Sequence, residues 1–324
     1  MIAEKALIAQ IRRLAKSKGN PAVLTGIGDD CAVLRLQAGG KGPDTLVTTD
    51  FSLEGVHFRR EWHSPESVGH RCLTRGLSDI AAMGGKPVAA FLSLALPRAL
   101  PSAWVTRFVQ GLISLAKKHH VTLAGGDTAE SPNGILADIV LVGTMPKGKA
   151  VLRSGAHAGD RIYVSGELGG SAAAVWQMRK KPKRKLNPRD YPHHFFPQPR
   201  VELGQVLCQK DLVSAMIDTS DGLSTDLAHI CEESEVGAEI QAEALPLASV
   251  GKPSREVDLE LALHGGEDYE LLFTAPRSLR LPSHIAGVPI TQIGHVTQLR
   301  KRILMIRGGV GLELQPRGWE HFRK

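Results

Sequence analysis

Apolar runs of strand length alternate with helix-period segments along almost the whole chain, and this alternation restricts the possible folds more than any other feature. Residues 45–49 read as a strand, 64–83 and 102–119 as helices, and 136–145 as a strand. Residues 121–124 read as a short strand ending in a Gly125-Gly126-Asp127 turn. Such a pattern favours an α/β or α+β architecture of mixed sheets with packed helices over an all-helical or all-β one. The helix over 64–83 is marked at both ends. Ser64-Pro65-Glu66 supply an N-cap, a proline at the first helical position and an early acid, and Gly84-Gly85 supply the stop.

At 324 residues the chain exceeds one core of ordinary size, so two domains are expected. The stretch 146–159, rich in Gly, Lys and small residues, places the boundary so that residues 1–147 form one unit and 148–324 the other. A strand at 161–164 opens the second unit. The proline-rich, charged stretch 180–199 is expected to be a surface excursion between two helices. Near the N-terminus, Leu7, Ile8, Ile11 and Leu14 are spaced as in an amphipathic helix rather than an export signal, and no uncharged apolar run approaches the ~20 residues of a membrane helix. Cys31, Cys72, Cys208 and Cys231 form no CxxC pair, which points away from disulfides and zinc and toward a reducing cytoplasm. The net charge of +7 is concentrated in residues 179–185 (RKKPKRK) and the tail. That run reads first as a solvated basic loop and second as suited to a phosphate-rich ligand. An aromatic content of 5% weighs against nucleic acid.

In this basic chain the acids gather in small groups beside Gly or at the ends of apolar runs: Asp29-Asp30, Asp50, Asp79, Asp127, Asp218 with Asp221, and Glu267-Asp268. A carboxylate there does little for packing, and spread carboxylates without a His or Cys cluster suit magnesium, which takes oxygen ligands and completes its shell with water and substrate phosphates. In GIGDDCAVL, residues 26–34, two glycines allow a tight path before two acids, although a surface turn with Asp caps has the same appearance. Thr48-Thr49-Asp50 is read as closing a strand with hard oxygens. Asp79 is the one charge in GLSDIAAMGG, where ionisation is costly without a cation or donors. Residues 216–223 read as a strand passing into a helix whose free N–H groups and positive dipole end lie near Asp218 and Asp221; helix capping is the competing explanation. Gly166-Glu167-Leu168-Gly169-Gly170-Ser171 suits either a phosphate cradle or a packing turn. No GxxxxGK[ST] loop and no HRD-type catalytic loop are present.

The pieces GIGDDCAVL, VTTDFSLEGVHF, LSDIAAMGGKP, LAGGDT, LRSGA, IDTSDGLSTDLAHI and HGGEDYELLFT, in this order, with GWEHF near the end, resemble the thiamine-monophosphate kinase family. That family lies in the superfamily that also holds aminoimidazole ribonucleotide synthetase and selenophosphate synthetase. The resemblance implies a two-domain fold that dimerises through its N-terminal domains, with ATP and substrate in a cleft between domains. It also implies a cytoplasmic, magnesium-dependent kinase that converts thiamine monophosphate to thiamine diphosphate. Carried over by position, Asp30, Thr48, Thr49, Asp50, Asp79, Asp127, Asp218 and Asp221 match metal positions. Gly126, Asp127, Arg153 and Ser220 match nucleotide contacts, and His57, Glu267 and Trp319 match substrate contacts. Nothing is carried over to the basic run at 180–185. The acceptor phosphate is itself largely an anionic nucleophile at neutral pH, so direct in-line transfer without a dedicated base or a phosphoenzyme is expected. A sister ATP-dependent synthetase and a non-catalytic nucleotide sensor are the rival readings; the N-terminus lacks the reactive Cys and Lys expected for selenophosphate synthesis.

Overall fold

The computed structural model describes residues 4–15, 20–37 and 42–322, so the last two residues of the basic tail lie outside the described residues. An N-terminal helix, α1 (Glu4–Leu14), precedes a six-stranded mixed sheet. Its strands are β1 (Val23–Thr25), β2 (Ala32–Leu34), β3 (Asp44–Leu53), β4 (Lys86–Leu96), β5 (Thr122–Glu130) and β6 (Leu136–Met145), in the order β1-β2-β3-β6-β4-β5. Helices α2 (Pro65–Ala82) and α3 (Ser102–Lys118) pack against each other, and α2 also packs on β3 and β6. The predicted start of α2 holds: the Ser64 hydroxyl accepts the Ser67 N–H, and Pro65 opens the first turn.

Two sequence expectations about this sheet are corrected. The strand through Thr48-Thr49-Asp50 does not end there, because β3 pairs with β6 along its whole length, from Asp44↔Met145 to Leu53↔Leu136. The Gly125-Gly126-Asp127 segment is not a turn but the middle of β5, which runs parallel to β4 with Leu92↔Gly126 and Ser93↔Asp127 in register. Glycine is needed here: at φ +150° the backbone approaches β4 so closely that a Cβ on residue 126 would lie 1.8 Å from the Leu92 carbonyl oxygen.

The second sheet contains β7 (Arg161–Ser165), β8 (Ala215–Asp218), β9 (Gly237–Gln241), β12 (Leu271–Ala275), β14 (Val288–Thr297), β15 (Ile303–Arg307) and β16 (Val310–Glu313). Their order is β16-β15-β9-β14-β7-β12-β8, with β13 (His284–Ile285) paired to β14. All its pairings are antiparallel except β15 with β9. A small ribbon, β10 (Ser249–Val250) with β11 (Arg255–Glu256), stands apart. Helices α4 (Gly170–Lys180), α5 (Pro192–Phe195), α6 (Val201–Gln209), α7 (Leu223–Glu233) and α8 (Leu259–His264) complete this half. The stretch 180–199 is a surface excursion only in its first part. Its second part is pinned to α2: Ser67 Oγ donates to the Phe195 carbonyl at 2.8 Å, His70 Nε2 lies 2.7 Å from the Pro197 carbonyl, and His194 and Phe195 are buried.

Helix α2 positions the site. All its residues except Glu66 and Asp79 are buried, because it packs on the first sheet while also meeting α6 and β8 of the second half. Among the described residues no helix is long and apolar enough to cross a membrane, and all four cysteines are free and buried.

Candidate active site

Arg71, Arg75, Ser78 and Asp79 lie along one side of α2, at i, i+4, i+7 and i+8. Asp30, just before β2, and Asp218, the last residue of β8, converge on Asp79. One carboxylate oxygen from each lies within 4.8 Å of the others. Thr48 Oγ1 donates to Asp79, Ser78 Oγ donates to Asp218 Oδ2 at 2.6 Å, and Arg153 Nη2 donates to Asp30 Oδ1 at 2.7 Å. Among the described residues the second oxygen of Asp30 is buried without a hydrogen-bond partner.

Burial and then the charge of Asp218 push the Asp79 pKa well above the ordinary carboxylate range. Burial and then Asp30 push Asp218 up to about 7. Like charges this close in a desolvated space resist ionising together, and a hard divalent cation bound by oxygen removes that penalty. The donor set and the unspent Asp30 oxygen therefore fit magnesium. Among the described residues no side chain caps α7, whose N-cap is Gly222, so capping does not account for Asp218 or Asp221.

Beside the triad opens a cavity of about 920 Å³, within the size range of small-ligand pockets. One end is polar and holds Thr49, Asp50, His57, Ser220, Asp221 and Glu267. Asp50 is near enough to the triad for its charge to add to the pKa shifts of Asp79 and Asp218. Burial raises the pKa of Asp50 itself, and burial and then Glu4 raise Asp221 to about 6. Trp62, Val175 and Trp176 add apolar surface to the lining, and the backbone N–H of Trp319 donates to the Asp221 carbonyl at 2.9 Å.

Glu267 sits at φ +66°, a left-handed conformation that a non-glycine residue holds only when its surroundings demand it. Those surroundings are Arg71 Nη2 at 2.6 Å, Arg75 Nη2 at 2.5 Å and the Ser220 carbonyl, which accepts the Glu267 N–H at 2.8 Å. Burial alone would raise the carboxyl pKa, but Arg71 and Arg75 outweigh it and hold it far below the usual range. His57 Nδ1 accepts the Leu53 N–H at 2.9 Å, which leaves the ring proton on Nε2. Burial, then Arg75, lowers the His57 pKa to about 3, so the ring is neutral at physiological pH.

The structure thus gathers the sequence candidates into two neighbouring groups: Asp30, Asp79 and Asp218 with Thr48 and Arg153, and Thr49, Asp50, His57, Ser220, Asp221, Glu267 and Trp319 around the cavity. Gly126 and Asp127 join neither group; they lie in β5, exposed, outside the cavity lining. Sequence reasoning missed Arg71, Arg75, Ser78 and Asp138, the last of which accepts the Thr49 hydroxyl at 2.8 Å. Two arginines four apart in a helix of small and apolar residues were the available sign of a polar stripe, but their partner is 192 residues from Arg75 in the chain.

Residues 28–145 match the family described as AIR synthase related protein, N-terminal domain, and residues 157–306 match AIR synthase related protein, C-terminal domain. The chain is 35% identical over 311 residues to the thiamine-monophosphate kinase of Bacillus subtilis (strain 168), covering 93% of this chain and 94% of the relative. It is 38% identical over 308 residues to the thiamine-monophosphate kinase of Escherichia coli (strain K12), covering 92% and 91%. Among solved structures it resembles AaThiL complexed with AMPPCP and TMP, with a TM-score of 0.84 and 32% identity over 99% of this chain and 97% of the other.

Proposed function

The chain belongs to the AIR synthase related family and, within it, to the thiamine-monophosphate kinases, and from that premise we propose that it transfers the γ-phosphoryl group of ATP to the phosphate of thiamine monophosphate, giving thiamine diphosphate and ADP. The observation that carries this reading is the adjacency of a carboxylate triad, with Asp30 and Asp218 buried and Asp79 partly so, to a cavity lined by both acidic and aromatic residues. The first suits a polyphosphate bound through a divalent cation, and the second suits a heteroaromatic acceptor.

Asp30, Asp79 and Asp218, with Thr48, Thr49, Asp50, Asp127 and Asp221 as the wider set, would hold magnesium, which supplies charge neutralisation and a fixed geometry for the phosphoryl group. The acceptor phosphate, with a second pKa of about 6, is already a nucleophile at neutral pH, so transfer is direct and no residue has to remove a proton. His57 acts as a neutral donor through Nε2–H rather than as an acid, consistent with its depressed pKa. Glu267 and Trp319 orient the acceptor in the cavity. Ser220 and Arg153 contact the nucleotide, and Arg153 also restrains Asp30.

Gly126 and Asp127 enter the nucleotide and metal sets through the family resemblance alone. The sheet face around them is open, with Phe51, Val88 and Phe91 exposed, and this is the face we assign to a homodimer. The free, buried cysteines agree with a cytoplasmic location.

Purified protein given ATP, magnesium and thiamine monophosphate should form thiamine diphosphate on chromatography, and Asp50→Ala should lose at least about 100-fold in rate. ATP consumed without diphosphate would instead indicate a sister synthetase, and ATP bound but not consumed would indicate a sensor.

A further inference from the structure

Four arginines line the cavity: Arg59, Arg75, Arg179 and Arg317. Three of them are exposed, whereas Arg75 is only 9% exposed and lies at the acidic end. There, Arg75 Nη2 donates to Glu267 Oε1 at 2.5 Å, while Nη1 stands 3.6 Å from Asp50 Oδ1, too far for a hydrogen bond. Arg71 provides the contrast. Its Nη1 donates to the His194 carbonyl, its Nη2 donates to Glu267 and reaches the His57 carbonyl, and it is not among the cavity-lining residues. Arg71 is committed to protein acceptors. Among the described residues Arg75 makes a single side-chain hydrogen bond, which leaves most of its five N–H groups for something in the cavity.

An acceptor that presents a phosphate to this end approaches Asp50, Asp221 and Glu267, all of which repel it when ionised. Arg75 is the fixed positive charge among them, and a guanidinium matches phosphate oxygens in geometry as well as charge. We propose that Arg75 contacts the phosphate of the acceptor and sets the preference for a phosphorylated over an unphosphorylated substrate. This inference rests on the proposed kinase activity and adds to it the residue that recognises the phosphate.

The test is calorimetric titration, with magnesium present, of thiamine monophosphate and of free thiamine into the wild-type protein and into Arg75→Gln, Arg75→Lys and Arg71→Gln, with Tm recorded for each. The wild type is expected to bind the monophosphate more tightly than thiamine. Because Arg71 and Arg75 both hold Glu267, Arg75→Gln should weaken the monophosphate by roughly ten- to a hundred-fold more than it weakens thiamine, as for loss of a hydrogen bond to a charged group. Arg71→Gln, which reaches the cavity only through Glu267, should weaken both ligands alike. Arg75→Lys, retaining charge without the planar fork, should fall between wild type and Arg75→Gln, and it decides the matter if Arg75→Gln does not fold. Parallel weakening of both ligands in the Arg75 variants, or an unchanged preference, would overturn the inference while leaving the activity intact. A wild type that forms no thiamine diphosphate would instead remove the activity on which the inference rests.

Discussion

Asp218 shows at the scale of one residue how function and stability oppose each other in this site. Unfolded, it titrates in the ordinary carboxylate range near 4; folded, burial and Asp30 move it to about 7. The folded state therefore holds its proton more tightly, so the stability associated with this group is fully present below about pH 4 and is lost as pH rises through about 7. Asp218→Asn keeps an acceptor for Ser78 and removes the charge. In chelator at pH 8 it should raise stability by about 1–2 kcal/mol and flatten the dependence of Tm on pH, while turnover drops at least about 100-fold. Thermal denaturation across pH, beside a rate assay, checks both; a destabilised variant would contradict the electrostatic account. Carboxylates of this kind were legible in the sequence because Asp79 in GLSDIAAMGG and Asp218 at the end of an apolar run have no packing role. Arg71 and Arg75 were not, since their meaning depends on Glu267, far away in the chain.

Among the elements, α2 joins the two halves, and its close approach to α3 depends on glycine. A Cβ on Gly69 would lie 1.9 Å from the Phe108 carbonyl oxygen, so neither backbone can yield without moving a helix. Gly69→Ala should therefore cost about 3 kcal/mol by overpacking, against ~1 kcal/mol for removal of the Ser64 cap, and chemical denaturation of the two variants gives the comparison. If Gly69→Ala proved neutral, α2 and α3 would not be packed as closely as this contact indicates. Helix limits were legible because caps and stops are local chemistry. Strand limits were less so. The ends of β3 and the middle of β5 are decided by partner strands, and glycines that signal a turn locally also permit close parallel pairing. The buried half of the stretch 180–199 was hidden for a similar reason: its carbonyls are satisfied by Ser67 and His70 of a helix more than a hundred residues earlier.

At the scale of the whole molecule, the alternation of strand and helix was sufficient to predict mixed sheets with packed helices, whereas the strand order and the placement of α2 between the halves follow from long-range pairing. The open face carrying Phe51, Val88 and Phe91 leads us to expect a dimer in solution. Light scattering on the wild type should report twice the chain mass, and Phe91→Glu should shift it toward the monomer; a monomeric wild type would remove that assignment. Transfer of a phosphoryl group onto an acceptor that already carries a phosphate is followed by measuring ADP and thiamine diphosphate together in reactions supplied with ATP, magnesium and either thiamine monophosphate or free thiamine. Equimolar ADP and thiamine diphosphate from the monophosphate, with neither formed from thiamine, is the predicted result; ADP without diphosphate, or phosphorylation of free thiamine at a similar rate, would contradict it.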